Sequence, residues 1–276
     1  MALRKHAFDF FPQMPIAHRL SLSLFAAQAL PALFLLSFRA LPAEAQSSSW
    51  TTVHQQASWY AGFVDHAIST RNAVVLDGQW RRMGWGAEPQ QLLLRGGLLR
   101  TIASGVRVGG GYAYVATAPY GEVPLASPAR EHRAWQQLLL THRAGVMSVA
   151  HRYRLEQRWI APVSTDPISN EKETGTFSYQ NRARYQVRAH GNVPAVTLRT
   201  RALTAFVYDE LLMPFGHGDP DLRVAQNRLG AGVGLPLTAR QRLDVGYMNL
   251  WNALTAQRTN EINHTLTVSW VWISTR

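Results

Sequence analysis

In residues 151–159, HRYRLEQRW, the chemistry alternates one residue at a time: Arg152, Arg154, Glu156 and Arg158 interleave with Tyr153, Leu155 and Trp159. A strand sends two such sets to opposite faces. A helix would mix them, because residues three and four apart share a helical face. The pattern recurs along the chain. Arg182, Arg184, Gln186 and Arg188 oppose Ala183, Tyr185 and Val187, and Arg107, Gly109, Gly111 and Ala113 oppose Val106, Val108, Tyr112 and Tyr114. Gln226, Arg228 and three glycines oppose Leu229, Ala231, Val233 and Leu235; Thr265, Thr267 and Ser269 oppose His264, Leu266, Val268, Trp270 and Trp272. Strands of this kind need one dry side and one wet side, which points to an all-β fold.

Such runs occupy 57–66, 72–82, 90–102, 105–117, 131–142, 146–160, 176–189, 196–210, 224–236, 240–251 and 262–273. The links between them alternate in length. Long ones are RMGWGAEP (82–89), APYGEVPLASPAR (118–130), APVSTDPISNEKETG (161–175), LLMPFGHGDPD (211–221) and NALTAQRTNEI (252–262). Short ones lie near 103–105, 143–145, 190–195 and 236–240. A membrane barrel with long external loops and short periplasmic turns alternates its links in this way. Bacterial barrels favour an even strand number, which asks for one more strand from WTTVHQQ (50–56). The expectation is a closed antiparallel up-and-down transmembrane β-barrel of about twelve strands, or about ten if residues 50–66 pair poorly.

Closure in a membrane decides which face is wet. An arginine facing lipid at mid-depth costs ~2–4 kcal/mol, so the arginine faces must line the lumen. The candidate lumen network is Arg107, Arg152, Arg154, Glu156, Arg158, Arg182, Arg184, Arg188, Glu210 and Arg228, with Asp209 and Asp244 as further counter-charges. Arginines exceed carboxylates there, and the excess is expected either to hold water or to attract an anionic solute in the lumen. Trp80, Trp159 and Trp251 end strands that enter long loops, while Trp270 and Trp272 lie toward the other end; two aromatic girdles at two membrane interfaces have this spacing.

Residues 20–38 form an apolar run followed by LPAEAQ, in which Ala43 and Ala45 fit a small-x-small cleavage pattern. Residues 1–45 are therefore expected to be a cleaved signal peptide and residues 46–276 an outer-membrane barrel domain. The net charge of +11 is carried almost wholly by arginine, since Lys5 and Lys172 are the only lysines. It is spread along the chain rather than gathered in one arm, which argues against a nucleic-acid partner. The chain has no cysteine, which excludes disulfides, thiolate metal sites and cysteine nucleophiles.

Catalytic signatures are weak. Neither a Gly-x-Ser-x-Gly elbow nor a His-x-Ser-Asn-Gly motif is present. Ser169 and Lys172 have Ser-x-x-Lys spacing in a polar loop without companion motifs. His217, Asp219 and Asp221 form HGDPD, which reads as turn chemistry before it reads as a cation site. Gly109, Gly110 and Gly111 precede no helix; they let the wall bend or leave room for arginines opposite. Tyr208-Asp209-Glu210 is the most site-like segment, and neutralising wall arginines is its plainest role. No cofactor, metal or catalytic residue is expected.

HRYRLEQRW (151–159), NRARYQVR (181–188), FVYDELL (206–212), QNRLGAGVG (226–234), RLDVGYMNLW (242–251) and HTLTVSWVW (264–272), in this order, resemble the bacterial family known as domain of unknown function 2490. The resemblance covers the chain from about residue 150 onward and implies an outer-membrane barrel with an arginine-bearing inner wall; it carries no catalytic residues. The chain departs from common outer-membrane barrels in ending on Ile273-Ser274-Thr275-Arg276 rather than on an aromatic residue. The expected role is structural or pore-like, in a monomer contacting outer-membrane lipids, lipopolysaccharide and the barrel-insertion machinery. The alternatives are an enzyme acting on lipid or lipopolysaccharide, and a soluble periplasmic lipid-binding β protein.

Overall fold

The structure, a computed structural model, describes residues 50–274 apart from 167, 199–200 and 217–222. The expected signal segment and the HGDPD cluster lie outside the described residues. Twelve strands follow in order: β1 (Thr51–Ala67), β2 (Asn72–Met83), β3 (Glu88–Ala103), β4 (Val106–Thr117), β5 (Ala129–Ala144), β6 (Met147–Thr165), β7 (Lys172–Thr174), β8 (Ser178–Leu198), β9 (Arg201–Phe215), β10 (Gln226–Pro236), β11 (Gln241–Leu254) and β12 (Thr259–Ser274). Each wall strand pairs with its neighbours in sequence, β5 pairs β6 and β1 pairs β12, so the sheet closes on itself. β7 is a three-residue outrigger on the end of β6 and leaves eleven strands in the wall.

Eleven is one fewer than the expected twelve, and the closure is mixed rather than wholly antiparallel. With an odd number of alternating strands, the first and last run the same way. β1 and β12 accordingly pair in parallel from Thr51↔Thr259 to His66↔Ser274. The additional strand sought in residues 50–56 is the first part of β1. Nothing at Gln56-Ala57 signals a turn, so the strand runs straight through. Residues 51–56 pair with β12 alone, because β2 joins only at Ala57↔Met83.

Two of the expected long links are short. Residues 82–89 and 252–262 are mostly strand, closed by single 3-10 turns at Gly84–Gly86 and Thr255–Gln257. The short link placed at 190–195 is absorbed into β8, where the register with β9 shifts between Asn192 and Thr197. Pro194 has no N–H to give a ladder, which suits such an interruption. The strand ends joined by the longest connections, those from β4 to β5, β6 to β8 and β9 to β10, still share one end of the barrel, here called the loop rim. The opposite, turn rim carries 68–71, 104–105, 145–146 and 237–240. β1 starts at the loop rim and β12 ends at the turn rim.

The two faces of the wall differ sharply. Outward side chains include Leu98, 57% exposed, Leu229 and Trp80, each 52% exposed, whereas inward Glu156 and Glu210 are 1% and 2% exposed. The interior is filled by two apolar clusters and a charge network. One cluster holds Ala57, Trp59, Met83, Met248 and Leu250, with Tyr120 and Tyr208 against it; the other holds Leu99, Ala113 and Trp135.

Candidate functional site: the arginine-lined lumen

Strand parity places the charges. On β6, Arg152, Arg154, Glu156 and Arg158 point inward; on β8, Arg182, Arg184, Gln186 and Arg188 do so, and Arg154↔Arg184 and Glu156↔Arg182 are direct cross-strand partners. Like charges opposed in this way are destabilising unless a carboxylate intervenes. Glu156 intervenes: it accepts from Arg182 Nε at 2.9 Å and from Arg184 Nη1 at 2.7 Å. Glu210, on β9, accepts from Arg184 Nη2 at 2.7 Å, Arg152 Nη2 at 2.9 Å and Arg228 Nη1 at 3.4 Å. Two carboxylates thus tie together arginines from β6, β8 and β10. Charge-assisted bonds of this kind are about twice as strong as neutral ones.

The remaining candidates are dispersed around the same lumen. Arg107 forms a bidentate pair with Asp65 at 2.6 and 3.0 Å near the turn rim, and Arg188 donates to Asp244 at 3.1 Å. Arg158 binds Glu131 at 2.6 and 3.0 Å. Among the described residues Arg154 forms no ion pair: it donates to the Gln137 amide oxygen and lies 5.0 Å from the Trp135 ring centroid. Asp209 departs from its expected role as a counter-charge. It is the odd residue of an alternating trio, so Tyr208 and Glu210 point inward while Asp209 points outward and accepts from Asn227 Nδ2 at 2.6 Å.

Several lumen groups were not singled out from sequence. Glu131, Arg133, Asp65, Asp77, Arg81 and Arg95 lie on inward positions of β1, β2, β3 and β5, and Arg95 pairs Asp77 at 3.0 Å. The alternation of Glu131, Arg133 and Trp135 with His132 and Ala134 carried that signal. Gln90 could not be found by parity. It is the extra residue where Arg81↔Gln91 gives way to Arg82↔Pro89, and this bulge turns it inward to accept from Trp59 Nε1 at 3.0 Å. Gly111, with Gly97 on the next strand, makes room for the Trp135 indole rather than for arginines, and Gly109 for the Leu98 backbone and the Leu99 side chain: a Cβ on Gly111 would lie 2.8 Å from Trp135 Cζ2.

The interior volume falls into chambers. A loop-side chamber of about 180 Å³ meets a larger one of about 310 Å³ toward the turn rim; Trp59, Arg184 and Arg228 line both and form the septum between them. Arg81 stacks on Trp59 at 3.7 Å from the ring centroid, which stiffens this septum. A third space of about 350 Å³ adjoins the turn rim. Tyr120, from the β4–β5 connection, closes the loop-side chamber from above, and burial pushes its phenol up to about 12.

On the outer face, Trp80, Trp159 and Trp251 stand near the loop rim, Trp80 beside Tyr60 and Trp159 beside Tyr179 at 5.7 and 5.5 Å between ring centroids. Trp272 stacks on His66 at 5.3 Å near the turn rim, and Trp270 is exposed on the same strand. Ser169 sits in an exposed turn whose N–H, with that of Ile168, is capped by the Asp166 carboxylate, while Lys172 belongs to β7. Among the described residues, no three His, Cys, Asp or Glu side chains group to hold a metal ion, and no helix is long and apolar enough to cross a membrane.

The model of one protein family, described as "Protein of unknown function (DUF2490)", matches residues 56–261. No curated protein and no solved structure matches the chain.

Proposed function

The chain belongs to the DUF2490 family, and we propose from that premise that it is an outer-membrane barrel that admits small anions to its lumen and has no catalytic role. The carrying observation is the inverted wall. Arginines and their carboxylates are inside, and an apolar, aromatic-rich surface faces out. A soluble barrel reverses that polarity, and a continuous exposed apolar surface marks contact with a partner or a membrane. Strand lengths agree, since a tilted transmembrane strand needs ~9–11 residues and the shortest wall strand, β10, has 11. The excess of inward arginine sets the sign of the preferred solute.

Purified protein should require detergent for extraction and produce small, anion-selective conductance steps in planar bilayers. Protein that stays soluble without detergent would refute the membrane reading; a silent or potassium-selective bilayer would refute the anion reading. Trp59→Ala, which thins the septum, should raise the conductance.

The odd strand count has its own consequence. Tags placed just before Thr51 and just after Ser274 should be reachable from opposite faces of the membrane. Antibody access to both tags on intact cells, or to neither, would contradict the parallel β1–β12 closure.

A further inference from the structure

We propose that the loop-side chamber is a binding site for a tetrahedral oxyanion, a phosphate or sulfate group carried by a small solute. This rests on the reading of the lumen as anion-admitting and narrows it to one place and one ligand chemistry. The chamber is lined by Arg81, Arg133, Arg158, Arg182, Arg184 and Arg228, and no carboxylate is among its lining residues. The other polar groups there are amides, the Tyr120 phenol and the Trp59 indole N–H, which Gln90 accepts.

Charge balance distinguishes this chamber from the next. Behind its six guanidinium groups stand Glu131, Glu156 and Glu210, and Glu210 is shared with Arg152 outside the chamber. The chamber across the septum has Asp77, Glu210 and Asp244 in its own lining. Arg81 is 8% exposed and donates to the neutral oxygens of Gln79 and Gln91; among the described residues it forms no ion pair, and the nearby Asp77 carboxylate is taken by Gln79 and Arg95. Buried charge without a counter-charge is costly, and a bound anion relieves it.

Donors remain for a ligand. Arg133 spends Nε and Nη2 on Glu131, and Arg182 spends Nε and Nη2 on Glu156, which leaves Nη1 of each without a protein acceptor among the described residues. Arg228 Nε is buried and also has no partner. These arginines come from β2, β5, β8 and β10, on different sides of the wall. A planar carboxylate is satisfied by one guanidinium fork; a tetrahedral oxyanion takes donors from several directions. The volume of about 180 Å³ lies below the roughly 300–1,000 Å³ of pockets for drug-sized ligands, so the solute is small. Tyr120 over the chamber limits water access, which strengthens the attraction.

The test is calorimetric titration of the detergent-solubilised full-length protein with inorganic phosphate and with glycerol phosphate, against chloride at equal ionic strength. Saturable binding of either phosphate, and a thermal stabilisation that chloride does not reproduce, are expected; the tighter ligand identifies the free ion or the ester as the source. Arg81→Gln should weaken binding ~tenfold or more, the scale of one lost charged hydrogen bond. Arg130→Gln, the same charge change on the outer wall, should leave it unchanged. Among the described residues Arg81 has no ion-paired carboxylate to orphan, so its variant should fold. Absence of phosphate binding by the unaltered protein, or equal weakening in both variants, overturns the site. Chloride-over-potassium selectivity that persists in that case would leave the broader lumen reading standing; loss of selectivity in the unaltered protein would remove that reading instead.

Discussion

Glu156→Gln is expected to lower the melting temperature of the solubilised barrel far more than Glu171→Gln. Glu156 is 1% exposed and holds Arg182 and Arg184 on the adjacent strand. Removing its charge leaves both guanidinium groups facing Arg154 and Arg158 across the β6–β8 ladder and each other along β8. Breaking a buried ion pair on one side costs ~3–5 kcal/mol, because the surviving charge stays out of water. Arg184 retains Glu210 at 2.7 Å; among the described residues Arg182 has no second carboxylate. The loss should therefore fall chiefly on Arg182, and Glu156→Gln/Arg182→Gln should recover part of it. Glu171 is exposed in the β6–β8 connection, where its backbone oxygen rather than its side chain accepts a bond from Asp166 N–H. Its substitution should stay within ~0.5 kcal/mol, as for surface positions generally. Equal melting of the two single variants would show that Glu156 does not hold the wall together.

Trp135→Ala should destabilise the barrel by about 3 kcal/mol and widen the lumen at the same time. Trp135 is 2% exposed, and its indole lies in a trough made by Gly97 and Gly111 on neighbouring strands. Truncating a buried aromatic residue costs ~3–5 kcal/mol. The lower end applies for two reasons. The indole Nε1 has no acceptor, so its removal also removes an unsatisfied donor. The vacated space would merge with the adjoining 350 Å³ turn-side cavity, where polar neighbours such as Arg154 and Gln137 can hold water. The paired readouts are thermal melting and bilayer conductance. A variant that melts as the parent does would refute the packing role, and unchanged conductance in a destabilised variant would place the constriction elsewhere.

The same glycine-and-aromatic arrangement recurs where Phe206 lies over Gly232 and Tyr208 over Gly230, at 2.6 and 2.5 Å from where a Cβ would stand. The sequence displays these glycines plainly, spaced by two in QNRLGAGVG, yet not their purpose. That depends on which residue of the next strand lies opposite, a property of register. Register is also what supplied Glu131 to Arg158.

What the sequence determined by itself was local. Alternation with period two follows from the geometry of one extended strand, so the faces of β4, β6, β8, β10 and β12 could be read before any partner was known. The arginine-bearing composition of the lumen and the all-β character came with it. Only the tertiary structure decided how the wall closes. β1 runs unbroken from Thr51 to Ala67, so the strands number eleven and the ends of the sheet meet in parallel. Nor could one strand announce that Glu156 serves Arg182 and Arg184, that a bulge turns Gln90 inward, or that Tyr120 closes a chamber of arginines. The hydrogen-bonded ones join residues 26 to 31 positions apart, and they exist only once the strands have paired and the sheet has curved.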